Sequence, residues 1–332
     1  MMSEKNTSYH PSKDVDTALA DVTASSENPH AMPPIHSVRD LRNAFHLFWK
    51  PLVSVLVWGL SFIATKYALA ELDPVTIINI RLGLSIPLLG LGAYITGKSF
   101  RIQKKQIGLV ALLATISVIH LTIQVTGLRY TSAANTGWII GTSPIFIAVM
   151  GRIFLKERIS RQQTWGILVS LAGLVLLISK GNLTSLSFIK GIGDLLILAS
   201  CATWGIFSVI NRKLSLNYSP LITTFYLFVF MAVITLPFNI NSETFNAVLH
   251  LSTRGWTALL FLGLFCSGLG YALWAKALSE MPSANVAAFL NIEPFITFIG
   301  AWLILGEHIT LITIVSGLVI MFGIGIVNIR RR

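Results

Sequence analysis

The chain has 332 residues, of which 54% are hydrophobic and only 12% charged, with a mean hydropathy of +0.72. Soluble domains carry about twice that share of charge, so a water-soluble enzyme or binding module is excluded as the whole of this protein. The net charge of +11 would suit a nucleic-acid partner, but Lys and Arg stand in short clusters between apolar runs instead of on one basic face. That pattern marks membrane topology, and no nucleic-acid partner is expected.

Residues 1–46 are polar, rich in Ser, Thr, Asp, His and Pro, and are expected to form a disordered cytoplasmic tail without a cleavable signal-peptide pattern. Toward its end Val38, Leu41, Phe45 and Phe48 recur at helical spacing beside Arg39 and Arg42. This predicts a short interfacial helix leading into the first span.

Crossing the hydrocarbon takes roughly 20 helical residues. Apolar runs of that kind are centred in 51–70, 74–95, 107–127, 133–154, 163–178, 193–211, 219–238, 257–277, 284–305 and 311–329. The expected fold is therefore an all-α polytopic membrane protein of ten transmembrane helices, since the period-2 alternation of a barrel is missing. Lys98, Arg101, Lys104 and Lys105 follow the second run, Arg152, Lys156, Arg158 and Arg161 the fourth, and Arg330 to Arg332 end the sequence. The opposite loops are poorer in basic residues, so both termini are expected on the cytoplasmic side of the cell (inner) membrane. Cys201 and Cys266 lie inside apolar runs and are read as small packing residues.

An internal repeat organises these runs. Residues 128–173 match 278–323 without a gap: Asn135 with Asn285, Pro144 with Pro294, Leu155 with Leu305, Glu157 with Glu307 and Gly173 with Gly323. A second match pairs Ser54, Trp58, Gly59 and Lys66 with Ser200, Trp204, Gly205 and Arg212. Each half, 51–178 and 193–329, holds five runs. An odd number forces the second copy to enter the membrane from the opposite side, so the expected architecture is two inverted five-helix repeats, the symmetry on which alternating access is built.

Trp58-Gly59 with Lys66, the segment GLRYTSAANTGWIIGTSPIFIAVMGRIFLKERIS from Gly127 to Ser160, and its counterpart PSANVAAFLNIEPFITFIGAWLILGEHIT from Pro282 to Thr310 together resemble the EamA family of the drug/metabolite transporter superfamily. The resemblance covers residues 51–329 and implies a ten-helix carrier with a central cavity, often an exporter of amino acids or related metabolites. Sugar phosphates and nucleotide sugars belong to more distant relatives.

Polar residues recurring every three or four positions on an apolar helix mark a face that avoids lipid. Trp58, His120, Gln124, Asn135, Trp138, Tyr271 and Trp274 lie on such stripes and are candidates for substrate contact. The same stripes also serve as interhelical hydrogen-bond glue. Lys66, Arg81 and Glu293 place ionisable groups inside runs, where each needs a partner or a wet cavity. Arg81 is the better anion candidate, because Lys66 can snorkel outward. Glu293 precedes Pro294, whose kink, repeated at Pro144, frees backbone carbonyls and suits a hinge. Glu157 and Glu307 are assigned to helix-end bonding, and the fifth and tenth runs to lipid or a second subunit in a homodimer.

The expected activity is secondary transport, with export favoured, of a small amino-acid-like solute with proton coupling. A sugar-phosphate, nucleotide-sugar or drug carrier is the alternative within the class. No G-x-x-x-x-G-K-[ST] loop appears for ATP-driven transport, and an intramembrane enzyme would need a nucleophile–base pair or an H-E-x-x-H cluster. No cofactor or metal is expected.

Overall fold

The computed structural model describes residues 38–156, 159–180, 191–214, 219–280, 286 and 289–328. Residues 1–45 and 46–332 form two separate units, and of the first only 38–45 are described. They are helical, so the expected disordered tail lies outside the described residues up to residue 37 and gives way to helix from Val38. There the helical spacing of apolar side chains outweighs the polar composition.

Among the described residues every regular element is helical. In chain order they are α1 (Val38–Leu69), α2 (Pro74–Ile95), α3 (Lys104–Tyr130), α4 (Ala133–Ile140), α5 (Ser143–Leu155), α6 (Arg161–Ile178), α7 (Ile192–Leu214) and α8 (Pro220–Thr235). After a 3₁₀ turn, Leu236–Asn239, follow α9 (Ser242–Leu249) and α10 (Thr253–Leu260). A ten-residue π-helical segment, Phe261–Gly270, continues into α11 (Tyr271–Glu280). A second 3₁₀ turn, Phe289–Ile292, opens α12 (Glu293–Leu305), and α13 (Leu311–Asn328) closes the series. Among the described residues eight helical stretches are long and apolar enough to cross a membrane, and Phe289–Leu305 and Leu311–Ile326 are shorter apolar helices.

Local chemistry sets the turns. Asp73 ends the link from α1 by accepting from the backbone N–H groups of Val75 and Thr76 at 2.9 and 3.0 Å, while Pro74 occupies a position where a missing N–H costs nothing. Ser160 and Gln163 form a reciprocal capping box at α6. Ser132 caps α4 through Asn135 N–H, and Glu307, after α12, accepts from Ala133 N–H at 2.7 Å and Ala134 N–H at 3.0 Å. An anion on the orphan donors of a helix N-terminus is the favoured arrangement. Helix-end bonding is thus observed for Glu307, and Glu157 lies outside the described residues. The equivalents α5 and α12 end alike, on left-handed residues: Lys156 at φ 57° and Gly306 at φ 65°.

The halves meet through glycines. A Cβ on Gly59 would sit 2.8 Å from Ile296, and one on Gly205 would sit 3.0 Å from the Phe146 backbone. These two contacts are made by residues that correspond in the sequence repeat. The same exchange occurs between α6 and α13, where Gly173 faces the Ile320 backbone and Gly323 faces Ser170. Ser170 Oγ donates to Ile320 C=O at 3.0 Å. Small residues that let backbones touch are the usual means of packing helices in lipid. The outer faces of this pair, including Trp165, Leu168, Leu318 and Phe322, are exposed, as is Trp302 on α12.

At the other end of the bundle Lys50 of α1 bonds Glu280 of α11, and Lys276 joins it at 3.2 Å. The hydrogen bond from Lys50 holds the Glu280 carboxyl below the ordinary carboxylate range. A depressed carboxyl stabilises the fold above its unfolded pKa and ceases to do so as pH falls through its folded value. The thermal midpoint in detergent is therefore expected to fall at acid pH less steeply in Glu280→Gln than in the parent.

Candidate functional site

A central cavity of about 140 Å³ lies where α1, α2, α3, α5, α7, α11 and the start of α12 converge. A water needs roughly 10–15 Å³ measured this way, so the space suits a small hydrated solute. Its polar wall contains Arg81, His120, Gln124, Tyr271 and Glu293, with Trp58 and Trp204 as aromatic sides.

Arg81 reaches the cavity because α2 packs closely on the π-helical segment. A Cβ on Gly263 would fall 2.6 Å from Leu84, so only glycine permits that approach. Arg81 is 9% exposed, its Nε donates to Ser267 Oγ at 2.9 Å, and it lines the cavity. Trp58 Nε1 donates to Cys266 C=O and Ser54 Oγ to Gly270 C=O, both at 2.9 Å. The Trp58 ring is thereby fixed against Tyr271 and Trp274, with centroids 5.1 Å away in each case.

His120 Nδ1 lies 3.0 Å from Ser200 C=O and 3.2 Å from Thr203 Oγ1. A carbonyl only accepts, so Nδ1 carries the proton, and in the neutral ring Nε2 is left as an acceptor. The ring rests against Trp204 at 5.3 Å. Glu293 stands half-buried at the start of α12. Among the described residues no cation lies within ion-pairing distance of its carboxylate. Its backbone C=O accepts from Thr297 Oγ1.

Pro144 and Pro294 lie at the second positions of α5 and α12. Lacking an N–H, they deprive the carbonyls of Ile140 and Leu290 of their i+4 donors. Both of those residues line the cavity, as do Gly141 with Asn291 and Ser143 with Glu293. Four register pairs of the sequence repeat, Ile140 with Leu290, Gly141 with Asn291, Ser143 with Glu293 and Pro144 with Pro294, thus meet around one space. Ser143 and Asn291 were not among the expected residues, although carrying the repeat register across the two prolines points to both.

Four expected residues lie outside the cavity lining. Asn135 hydrogen-bonds Asp194, which also accepts from Thr131. Trp138 is 2% exposed and packs against Phe295, Phe298 and Gly317. Trp274 forms a layer behind Trp58 beside Ala277 and Val286. Lys66 sits in the last turn of α1, within electrostatic reach of Glu307. Cys201 and Cys266 are buried free thiols directed at the carbonyls of Ile139 and Val57. Among the described residues no three His, Cys, Asp or Glu side chains gather as metal ligands would.

The pattern of the EamA-like transporter family matches residues 47–179 and, a second time, 191–329. The chain belongs to that family. Among its relatives, an "uncharacterized transporter" of Archaeoglobus fulgidus is 30% identical over 82% of this chain and 93% of its own length. A "probable amino-acid metabolite efflux pump" of Salmonella typhimurium is 25% identical over 82% of this chain and 91% of its own. A solved crystal structure at 15% identity superimposes with a TM-score of 0.58 over 85% of this chain and 96% of that one, which supports the helical fold alone. This EamA-like chain is accordingly a membrane transport protein, and its cavity is the candidate solute site.

Proposed function

We propose that this EamA-like protein is a ten-span secondary transporter of the inner membrane that exports a small amino-acid-like zwitterion by alternating access. The carrying observation is that Arg81 and Glu293, of opposite sign, line one cavity and make no ion pair with each other or with another described residue. Charges inside a membrane-spanning bundle need a counter-charge or water, and a solute bearing both a carboxylate and an ammonium supplies the two counter-charges at once. The carboxylate is held by the guanidinium fork, the ammonium by Glu293 and the His120 acceptor, and the apolar remainder by Trp58 and Trp204. Glu293 carries either the solute's ammonium or a proton, which couples efflux to proton entry.

Several features support inverted repeats over 51–178 and 193–329. The exchanged glycine contacts relate the halves pairwise. The apolar span of α1 begins near Lys50, which bonds Glu280 at the end of α11, whereas α7 starts against the end of α3, where Gly193 touches Tyr130 and Thr131. With short links between antiparallel helices, α7 therefore runs opposite to its counterpart α1. The basic turns at Lys98–Lys105 and Arg152–Arg161 then share the cytoplasmic face with both termini. The exposed apolar faces of α6 and α13 meet lipid or a second copy of the chain.

The test is flux of a radiolabelled amino-acid panel in proteoliposomes, with and without a pH gradient, in the parent and in Glu293→Gln. Saturable, gradient-driven flux that becomes gradient-insensitive in Glu293→Gln is expected. Gradient-driven flux retained in the variant would remove Glu293 as coupler, and saturable flux of sugar phosphates with none of amino acids would overturn the zwitterion.

A further inference from the structure

A second cavity, of about 670 Å³, lies away from the solute site, between α1, α10 and the end of α12. Its floor is apolar: Leu60, Ile63 and Ala64 of α1, Phe261, and Ile304 of α12. Ile304 in its lining is exposed, as are Leu260 and Leu303 on the same helices, and those helices belong to apolar stretches, so the groove is read as facing hydrocarbon. An apolar groove in that position is filled by lipid chains.

The rim differs from the floor. Arg254 lies over the Tyr67 ring at 5.3 Å, a contact that orients the guanidinium and leaves its N–H fork unspent. Tyr67 is itself pinned by its hydroxyl donating to Ile304 C=O at 3.0 Å. Beside Arg254 stands Glu71, whose carboxylate accepts from Ser252 N–H at 2.7 Å and Ser252 Oγ at 2.6 Å. Those bonds hold its carboxyl below the ordinary range, so it is anionic at neutral pH, and each oxygen keeps a further lone pair. Arg254 on the groove's rim and Glu71, held next to it by Ser252, thus present a cation and an anion near each other.

We infer that this groove is a phospholipid site selective for a zwitterionic headgroup with a primary ammonium. One acyl chain lies along Leu60, Ile63 and Phe261, the phosphate meets Arg254 and the ammonium meets Glu71. A purely anionic headgroup satisfies Arg254 but faces Glu71. A trimethylated ammonium has the charge but no N–H to donate to the carboxylate.

The experiment is native mass spectrometry of the purified protein after exchange into mixed micelles with equimolar phosphatidylethanolamine, phosphatidylglycerol and phosphatidylcholine of the same chains. Retention of phosphatidylethanolamine over each of the others by roughly two- to five-fold is expected, the range that exposed charge pairs allow. Arg254→Gln should lower retention of both phosphatidylethanolamine and phosphatidylglycerol. Glu71→Gln, which keeps an acceptor for Ser252, should erase the preference over phosphatidylglycerol, and Thr257→Trp, filling the groove, should lower all three. Equal retention of the three lipids, or a preference for phosphatidylethanolamine unmoved by Glu71→Gln, would overturn the proposal. Transport activity does not enter the readout.

Discussion

Arg81→Gln is expected to raise the apparent KM for carboxylate-bearing solutes by about 30-fold or more, while leaving transport of the matching decarboxylated amines within a few-fold of the parent. The magnitude follows from removing one partner of a buried, hydrogen-bonded charge pair, which costs about 2–5 kcal/mol, with each 1.4 kcal/mol worth a factor of about ten. Arg81 is fixed by Ser267 through Nε, so Ser267→Ala serves as a positioning control and should weaken the same solutes to a smaller degree. Competition assays with acid and amine pairs in proteoliposomes check this. Equal losses for both members of a pair, with an unchanged thermal midpoint, would mean that Arg81 does not hold the carboxylate.

The second large effect is structural. Gly323→Ala would place a methyl 2.3 Å from Ser170 Oγ and 2.5 Å from Ser170 N, and the backbone atom cannot rotate away. The helix pair α6–α13 must separate, at a cost of about 1–3 kcal/mol for overpacking. At Gly325, two residues on, an alanine methyl would meet no atom within 4 Å, and alanine there is expected to be neutral or to stabilise the helix by up to about 1 kcal/mol. Thermal unfolding in detergent should show a clear drop for Gly323→Ala and none for Gly325→Ala. A drop of the same size in both would remove the close α6–α13 crossing as the cause.

The helices were legible because their cause is local: long apolar runs, Asp73-Pro74, the Ser160–Gln163 pair and the prolines. The register pairs around the cavity were legible in part. Pro144 and Pro294 stand out by residue type, but Ser143 and Asn291 are ordinary residues that only the repeat brings to the same place. Polar stripes carry less information than they suggest. A 3.6-residue period says that a face avoids lipid, and it says nothing about whether that face meets a cavity or a neighbouring helix. Asn135 meets Asp194, and Trp138 meets Phe298 and Gly317. Trp274 backs Trp58 in the same way. These are three-dimensional outcomes of which helix lies opposite. The π-helical winding at Phe261–Gly270 has no signature in the apolar pattern, since glycines and large apolar residues fit either winding.

The left-handed ends of α5 and α12 differ in mechanical tolerance. Gly306 holds its conformation without penalty, whereas Lys156, with a Cβ, holds the same one at a cost of roughly 1–2 kcal/mol. That stored energy is released if the last turn of α5 unwinds, which favours unwinding there by about five- to thirty-fold relative to a glycine. In the alternating-access carrier proposed above, with these two ends on opposite faces, that inequality would set a resting orientation even without a gradient, and replacing Lys156 with glycine would even the balance.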